Sequence, residues 1–154
     1  MSEHKDHADV KIHPPVLTFI FITFAYLANW FIPLQFSMSW LRYLGFAIAI
    51  IGFLLPFFAI REFMKAKTTV NPHGSVSNII SSGIFRLSRN PIYVGFVLMS
   101  IGFPLYSGTY WGIILSPVLI LCFNYLIIQH EEVYLEKKFG EQYTSYKSKV
   151  RRWL

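Results

Sequence analysis

The sequence of 154 residues is short of charge and holds a single cysteine. Charged residues make up 14%, whereas a soluble domain usually carries about 25%. With 54% hydrophobic types and a mean hydropathy of +0.44, the chain is predicted to have lipid as its main surroundings, which argues against a disordered tail and a free cytosolic domain. Because Cys122 has no second cysteine to pair with, a disulfide scaffold is excluded, and we interpret Cys122 as a small buried hydrophobe.

The sequence lacks the motifs of several common sites, namely metal sites, phosphate-binding loops, hydrolase nucleophile elbows and nucleic-acid-binding patches. His130 next to Glu131 does not have the ligand spacing of a zinc site, so no metal is expected. There is no glycine-rich phosphate loop and no G-x-S-x-G elbow. The net charge is +6, but the basic residues are not interleaved with exposed aromatic residues in a soluble patch, so no nucleic-acid partner is expected. Basic excess of this kind fits membrane topology and anionic lipid instead.

What the sequence does contain is four apolar runs without charge, at residues 16–36, 44–60, 92–106 and 111–128. The first two, the second counted from Trp40, are long enough to span about 30 Å of hydrocarbon. The third is short and the fourth follows it closely, which predicts a tight helical hairpin around residues 107–109. We therefore predict an all-α, polytopic membrane protein with about four spans and a C-terminal interfacial helix. The single domain, 1–154, divides into a polar N-terminus without a cleaved signal (1–15), two spans (16–60) and a site-bearing part (61–154).

The basic residues predict the orientation of these spans. Thirteen of the 14 Lys and Arg residues fall on one side of the four-span arrangement, and only Arg42 falls on the other. By the positive-inside rule, both termini are predicted to be cytoplasmic. Every residue capable of chemistry then lies in the loop 61–91 or the tail 129–154, so any site should lie at the cytoplasmic membrane surface.

Two short constellations in those segments could bind a ligand. Pro91 suits the first turn of a helix, Asn90 suits its N-cap, and Arg89 would then stand beside a helix N-terminus that favours anions. This arrangement predicts either a carboxylate or phosphate receptor or a lipid-headgroup anchor. Glu131 and Glu132 follow an uncharged run and point about 100° apart on a helix, so they should play different roles. We expect one of them, with a slight preference for Glu131, to face inward; the alternative is a solvated helix end.

The tail carries an apolar stripe at three- and four-residue steps, beside a basic face. Its members are Leu135, Phe139, Tyr143, Tyr146 and Val150. Such a pattern is typical of a helix lying on the inner membrane surface. A lipid anchor is the favoured interpretation, and closure of a site is the alternative.

From about residue 68 onward, ordered blocks of the sequence resemble the isoprenylcysteine carboxyl methyltransferase family and the related phospholipid N-methyltransferases. The blocks are Asn71-Pro72, SGIFR at 82–86, SRNPIYVG at 88–95, Glu131-Glu132 with Leu135, Phe139, Gly140, Tyr143 and Tyr146, and VRR at 150–152. The resemblance covers somewhat over half of the chain. The family commonly has Arg-His-Pro where this chain has Arg89-Asn90-Pro91, and an asparagine cannot act as a base near neutral pH.

The resemblance implies a membrane methyltransferase that uses S-adenosylmethionine and acts on a lipidic or thiol/carboxylate acceptor, such as an isoprenylcysteine carboxylate. It implies catalytic roles for Arg89 and Glu131. The cofactor-binding residues that it implies are Asn71, Gly83, Phe85, Arg89, Asn90, Pro91, Tyr93, Gly95, Glu131, Glu132, Tyr143 and Tyr146. The first alternative is a non-catalytic membrane scaffold or lipid-binding protein of the same fold, which the Asn90 difference favours. A second is a reductase of the sterol-reductase type, for which the sequence shows no nicotinamide site.

Overall fold

Six α-helices make up most of the part of the chain that the structure describes. The computed structural model describes residues 12–66 and 77–154. The helices are α1 (Pro14–Phe31), α2 (Ser39–Lys65), α3 (Pro91–Ser107), α4 (Trp111–Phe123), α5 (Gln129–Phe139) and α6 (Glu141–Lys149). A 3-10 turn, Gly83–Arg86, precedes α3, and a π-turn, Asn124–Ile128, joins α4 and α5 into one continuous helical rod. Apart from one isolated bridge, no β-structure occurs in the two described ranges.

Three of these helical segments are long and apolar enough to cross a membrane: Pro14–Phe31, Ser39–Lys65 and Trp111–Phe139. The apolar α3 has 17 residues, or about 26 Å of helix, and is shorter than a usual span. The outer faces of the bundle expose large apolar side chains such as Phe19, Trp30 and Phe53, as lipid contact requires. The predicted all-α membrane fold is therefore confirmed, with three long helices and one short helix.

Polar and flexible residues set the helix ends. The helix α1 stops at Phe31, inside its apolar run, where the side chain of Asn29 accepts the N–H of Leu34 at 3.2 Å and Pro33 follows. The turn between α3 and α4 has Gly108 at φ +96°, a left-handed conformation that suits glycine. Its N–H donates to the carbonyl of Leu105 at 3.0 Å. The predicted hairpin is confirmed.

The helices α2 and α3 pack closely because small residues meet at their crossing. A Cβ added to Gly102 would lie 2.5 Å from the backbone nitrogen of Ala49, and one added to Gly52 would lie 2.8 Å from the carbonyl oxygen of Gly95. Backbones approach this closely only where side chains are small. This crossing holds the start of α3 firmly against α2, and the start of α3 is where Arg89 lies.

The bundle has two chemically different ends. At the polar end, α2 finishes and α3 begins, and all five acidic residues of the described ranges lie there: Glu62, Glu131, Glu132, Glu136 and Glu141. At the turn end, the segment 32–36 joins the α3–α4 turn, since Phe36 donates to Gly108 and Tyr110 donates to Leu34. Arg42 lies at the turn end. This division matches the predicted asymmetry of charge; which end faces the cytoplasm stays a prediction.

Candidate active site

Arg89 is a buried cation with unused hydrogen-bonding capacity. Its side chain is 8% exposed, and its Nη2 lies 3.1 Å from an oxygen of Glu132. Its Nε and Nη1 are buried and have no hydrogen-bond partner among the described residues. Buried donors without partners are rare and costly in native proteins. These two N–H groups can therefore bind an acceptor that is not among the described residues.

Glu132 is the carboxylate that neutralises this region. Arg152 contacts it through two hydrogen bonds, Nε at 3.0 Å and Nη2 at 2.6 Å, in the bidentate geometry that makes arginine–carboxylate pairs strong. The hydrogen bonds to Glu132 raise the pKa of Arg152. We call Arg89, Glu132 and Arg152 the arginine–glutamate cluster. The carboxylate that contacts both arginines is thus Glu132, with 6% of its surface exposed. The preference for Glu131 as the carboxylate that faces a cofactor stays a prediction.

Glu131 contacts a different group. The hydroxyl of Tyr93 donates to one oxygen of Glu131 at 2.7 Å, and the Tyr93 ring packs against Phe123 with 5.2 Å between centroids. The two adjacent carboxylates therefore have separate partners on α3 and the tail, as their divergence on a helix predicted. Glu131 differs from Glu132 in that its side chain forms no ion pair with any of the described residues.

The π-turn lies directly before this pair. Asn124, its first residue, accepts a hydrogen bond from the indole N–H of Trp153 at 3.2 Å. Ile127 and Ile128 are both fully buried, which two successive residues of a regular α-helix on a bundle surface seldom are. π-turns within α-helices occur frequently at functional sites. Here the turn brings α5 into position against the start of α3.

The last residues of the chain close over the site. The N–H of Arg89 donates to the carbonyl of Arg151 at 2.9 Å, and Ser88 and Asn90 donate side-chain hydrogen bonds to the carbonyl of Arg152. Asn90 is the N-cap residue of α3, but its side chain makes no cap hydrogen bond because it binds the tail instead. The tail is therefore more than a lipid anchor: α6 is followed by residues 150–154, which fold back onto the polar end.

Tyr143 and Tyr146 fix α6 against the rest of the protein. The hydroxyl of Tyr146 donates to the carbonyl of Phe85 at 2.7 Å, and burial raises the pKa of Tyr146 to about 12. Tyr143 is 3% exposed, and burial raises its pKa too. The Phe85 ring packs edge-on against Phe63. These residues support the site through packing, and the hydroxyl of Tyr146 stays a proton donor at any ordinary pH.

The remaining predicted residues lie in varied places. Pro91 is at the first turn of α3, as predicted, and is buried. Gly83 lies beside Glu62, which also accepts a hydrogen bond from Ser82 at 2.8 Å. Asn71 falls outside the described residues. Gly95 lies against Pro56 of α2, whose Cδ would be 2.4 Å from an added Cβ, so this glycine serves helix packing. Its predicted place in a cofactor site stays a prediction.

Sequence reasoning missed Arg152 and Trp153 as site residues. A signal was present for Arg152, since it ends the last block of the resemblance. No sequence signal pointed to Trp153 or Asn124, because their contact joins residues far apart in the chain.

Comparison with known proteins adds to this geometry. The phospholipid methyltransferase family profile matches residues 40–142, about two thirds of the chain. The protein-S-isoprenylcysteine O-methyltransferase of Schizosaccharomyces pombe is 28% identical over 107 residues, which are 62% of this chain and 45% of that protein. A protein-S-isoprenylcysteine O-methyltransferase B of Arabidopsis thaliana is 31% identical over 72 residues, or 47% of this chain and 36% of that protein.

An uncharacterized protein of Haemophilus influenzae is 40% identical over 63 residues, which are 41% of this chain and all of that protein. The chain thus spans less than half of the length of the two isoprenylcysteine methyltransferases that it matches. The family profile covers α2, α3, α4 and α5, and it therefore includes Arg89, Glu131 and Glu132. On this match, with a membrane fold and a polar cluster at one end of the bundle, the chain belongs to the phospholipid methyltransferase family.

Proposed function

We propose that this protein is a membrane methyltransferase that binds S-adenosylmethionine at the polar end and methylates a lipidic or thiol/carboxylate acceptor. The observation that carries the proposal is Arg89, a buried guanidinium with two N–H groups that no described residue accepts. The family membership and the names of the relatives support a methyltransferase. The cofactor and the acceptor are our inference.

The residues at the polar end fit the charges of that cofactor. A carboxylate can accept the free Nε and Nη1 hydrogens of Arg89, which is the strong charged form of a hydrogen bond. The second oxygen of Glu131 has no partner among the described residues and can accept an ammonium group. Glu132 is already bound by two arginines, so we assign it the task of holding Arg89 and Arg152 rather than the cofactor.

The reaction itself asks little acid–base chemistry of the protein. S-adenosylmethionine, when bound, supplies an electrophilic methyl group on a sulfonium for in-line displacement by an acceptor atom. The protein contributes by orienting the cofactor and the acceptor and by excluding water from the site. Arg89 and Glu131 would fix the two ends of one amino-acid group, and residues 150–154 would cover the site. Asn90 would contribute by holding the tail, a role that needs no titration and that an asparagine can fill.

The acceptor would arrive from the bilayer. The outer faces of α3 and α4 expose apolar side chains, among them Phe103, Ile114 and Leu121, so a lipid chain can lie along them. The named relatives act on isoprenylcysteine, and we extend that acceptor class to this chain: a prenyl chain in the lipid with a carboxylate at the polar end. A non-catalytic scaffold of the same fold is the alternative.

The test is the affinity of S-adenosylhomocysteine for the full chain in detergent, measured by calorimetry. Arg89→Lys keeps a cation beside Glu132 but removes the planar fork, so we expect affinity to fall about ten- to a hundredfold, or about 1.5–3 kcal/mol. The matched control is Arg86→Lys, an exposed arginine three residues earlier, which should bind like the parent.

Two results would count against the proposal. If the folded parent shows no binding, the scaffold alternative replaces the enzyme. If Arg89→Lys and Arg86→Lys both bind like the parent, then Arg89 is only a structural cation. Where binding holds, transfer of a labelled methyl group to a prenylated cysteine analogue tests the acceptor class.

A further inference from the structure

The turn end of the bundle carries a second feature that the methyltransferase proposal does not use. A depression of about 350 Å³ lies there, lined by Ser39, Arg42, Tyr43, Tyr106 and Ser107. One water occupies about 30 Å³ of liquid, so this space holds a group of many atoms. It is separated from the arginine–glutamate cluster by the whole length of α3.

Arg42 is the residue that gives this depression its charge. Its guanidinium lies over the α3–α4 turn, since a Cβ added to Gly108 would be 2.7 Å from Nη2. No ion pair or hydrogen bond of Arg42 is found among the described residues. None of the described carboxylates balances it, and the sequence has no Asp or Glu between Asp9 and Glu62, nor between Glu62 and Glu131.

The lining offers a second donor and an apolar border. The hydroxyl of Ser39 has no partner among the described residues, whereas that of Ser107 is already bonded to Tyr26 and to the carbonyl of Phe103. Tyr43 and Tyr106, which contribute the aromatic rings, are 72% and 51% exposed. Polar donors thus sit beside rings that suit the interface between headgroups and acyl chains.

We propose that this depression binds the phosphodiester of an anionic phospholipid, with Arg42 and Ser39 as donors and the acyl chains along the exposed faces of Phe46 and Phe103. Arginine matches phosphate oxygens in a bidentate way. A zwitterionic lipid would bring an ammonium group to an end of the bundle where no described carboxylate can accept it. The chemistry therefore favours a lipid of net negative charge, such as phosphatidylglycerol, over phosphatidylcholine. This inference does not rest on the proposed function.

The experiment is native mass spectrometry of the full chain in detergent micelles, titrated with phosphatidylglycerol or phosphatidylcholine. We expect the first phosphatidylglycerol to bind about tenfold more tightly than phosphatidylcholine. Arg42→Gln should weaken that step about tenfold through loss of a charged hydrogen bond. Arg86→Gln, an exposed arginine at the polar end, is the matched control and should leave the step unchanged.

Three outcomes would overturn the proposal. The first is equal binding of the two lipids to the unmodified chain, a comparison that needs no variant and stands even if Arg42→Gln fails to fold. The second is an unchanged affinity in folded Arg42→Gln, which would mean that Arg42 only complements the C-terminal end of α3. The third is binding of glycerophosphoglycerol, the headgroup without acyl chains, as tightly as the lipid, which would make this a site for free anions.

Discussion

Replacing Glu132 by glutamine should lower the stability of the protein strongly, whereas Glu131→Gln should lower it little. Glu132→Gln keeps the shape of the side chain and removes its charge. The carboxylate contacts Arg89 at 3.1 Å and Arg152 at 3.0 and 2.6 Å, so a neutral amide leaves two guanidinium groups without their common counterion. Arg89 cannot turn to water, because its side chain is only 8% exposed.

The size of the effect follows from that burial. Removing one partner of a buried ion pair costs about 3–5 kcal/mol. Arg152 is 31% exposed and water solvates part of it, so the lower end, about 3 kcal/mol, applies. For a chain of this length, that corresponds to a fall in Tm of about 6–12 °C. In Glu131→Gln, Tyr93 still donates to an amide oxygen, and the loss of stability should stay below about 1 kcal/mol.

The assay is thermal unfolding of both variants in the same detergent, followed by helical circular dichroism, together with S-adenosylhomocysteine affinity of the folded forms. We expect opposite patterns: Glu132→Gln loses stability, and Glu131→Gln keeps stability but loses about tenfold or more in affinity because the ammonium group loses its counterion. If Glu132→Gln melts within 2 °C or so of the parent, the arginine–glutamate cluster is not what holds the tail. Equal falls in Tm for both variants would refute the separation of roles.

Two further predictions concern the fold. Gly102→Ala should cost about 1–3 kcal/mol of stability in the same melting assay, because the added Cβ meets the backbone of α2 at 2.5 Å. The control Ala47→Leu, on the exposed face of α2, should change the stability little. Equal, small effects of both variants would mean that α2 and α3 are not held together by this close contact. Cysteines placed at Ser2 and at Ser107 in a chain without Cys122 should react with a membrane-impermeant reagent from opposite sides, as the distribution of Lys and Arg predicts. Labelling of both from one side would contradict the four-span orientation.

The helices could be predicted from the sequence because each depends on local pattern. Apolar runs without charge located α1 to α4, and Gly108 between two such runs located the turn. The position of Pro91 at the start of α3 followed from its missing N–H. These features depend on residues a few positions apart, where periodicity and backbone chemistry are informative.

The site depended on contacts that no local pattern encodes. Glu132 and Arg152 are 20 residues apart, and Asn90 and Arg152 are 62 apart. The apolar stripe of the tail predicted a helix on a lipid surface, yet Tyr143 on that stripe is buried against protein. An amphipathic pattern shows that a face is covered but not what covers it. Local sequence features indicated Arg89 and the two glutamates, and the resemblance to known methyltransferases implied roles for them, while the role of Asn90 in binding the tail came only from the structure.

The π-turn at Asn124–Ile128 also bears on how relatives of this chain should be aligned. A π-turn holds one residue more than the α-helical turn it replaces, and each residue of an α-helix advances about 100° around the axis. If the regular period of 3.6 residues per turn is continued from Phe123 across the π-turn, the predicted inward face of α5 is therefore wrong by about one residue. A relative that lacks one residue between Asn124 and Gln129 can keep both flanking faces in place and lose only the wide turn. A one-residue gap inside this helix is then a conservative difference. An alignment that forbids the gap would shift the register by one residue, so that the relative's counterpart of Glu132 would be paired with Glu131.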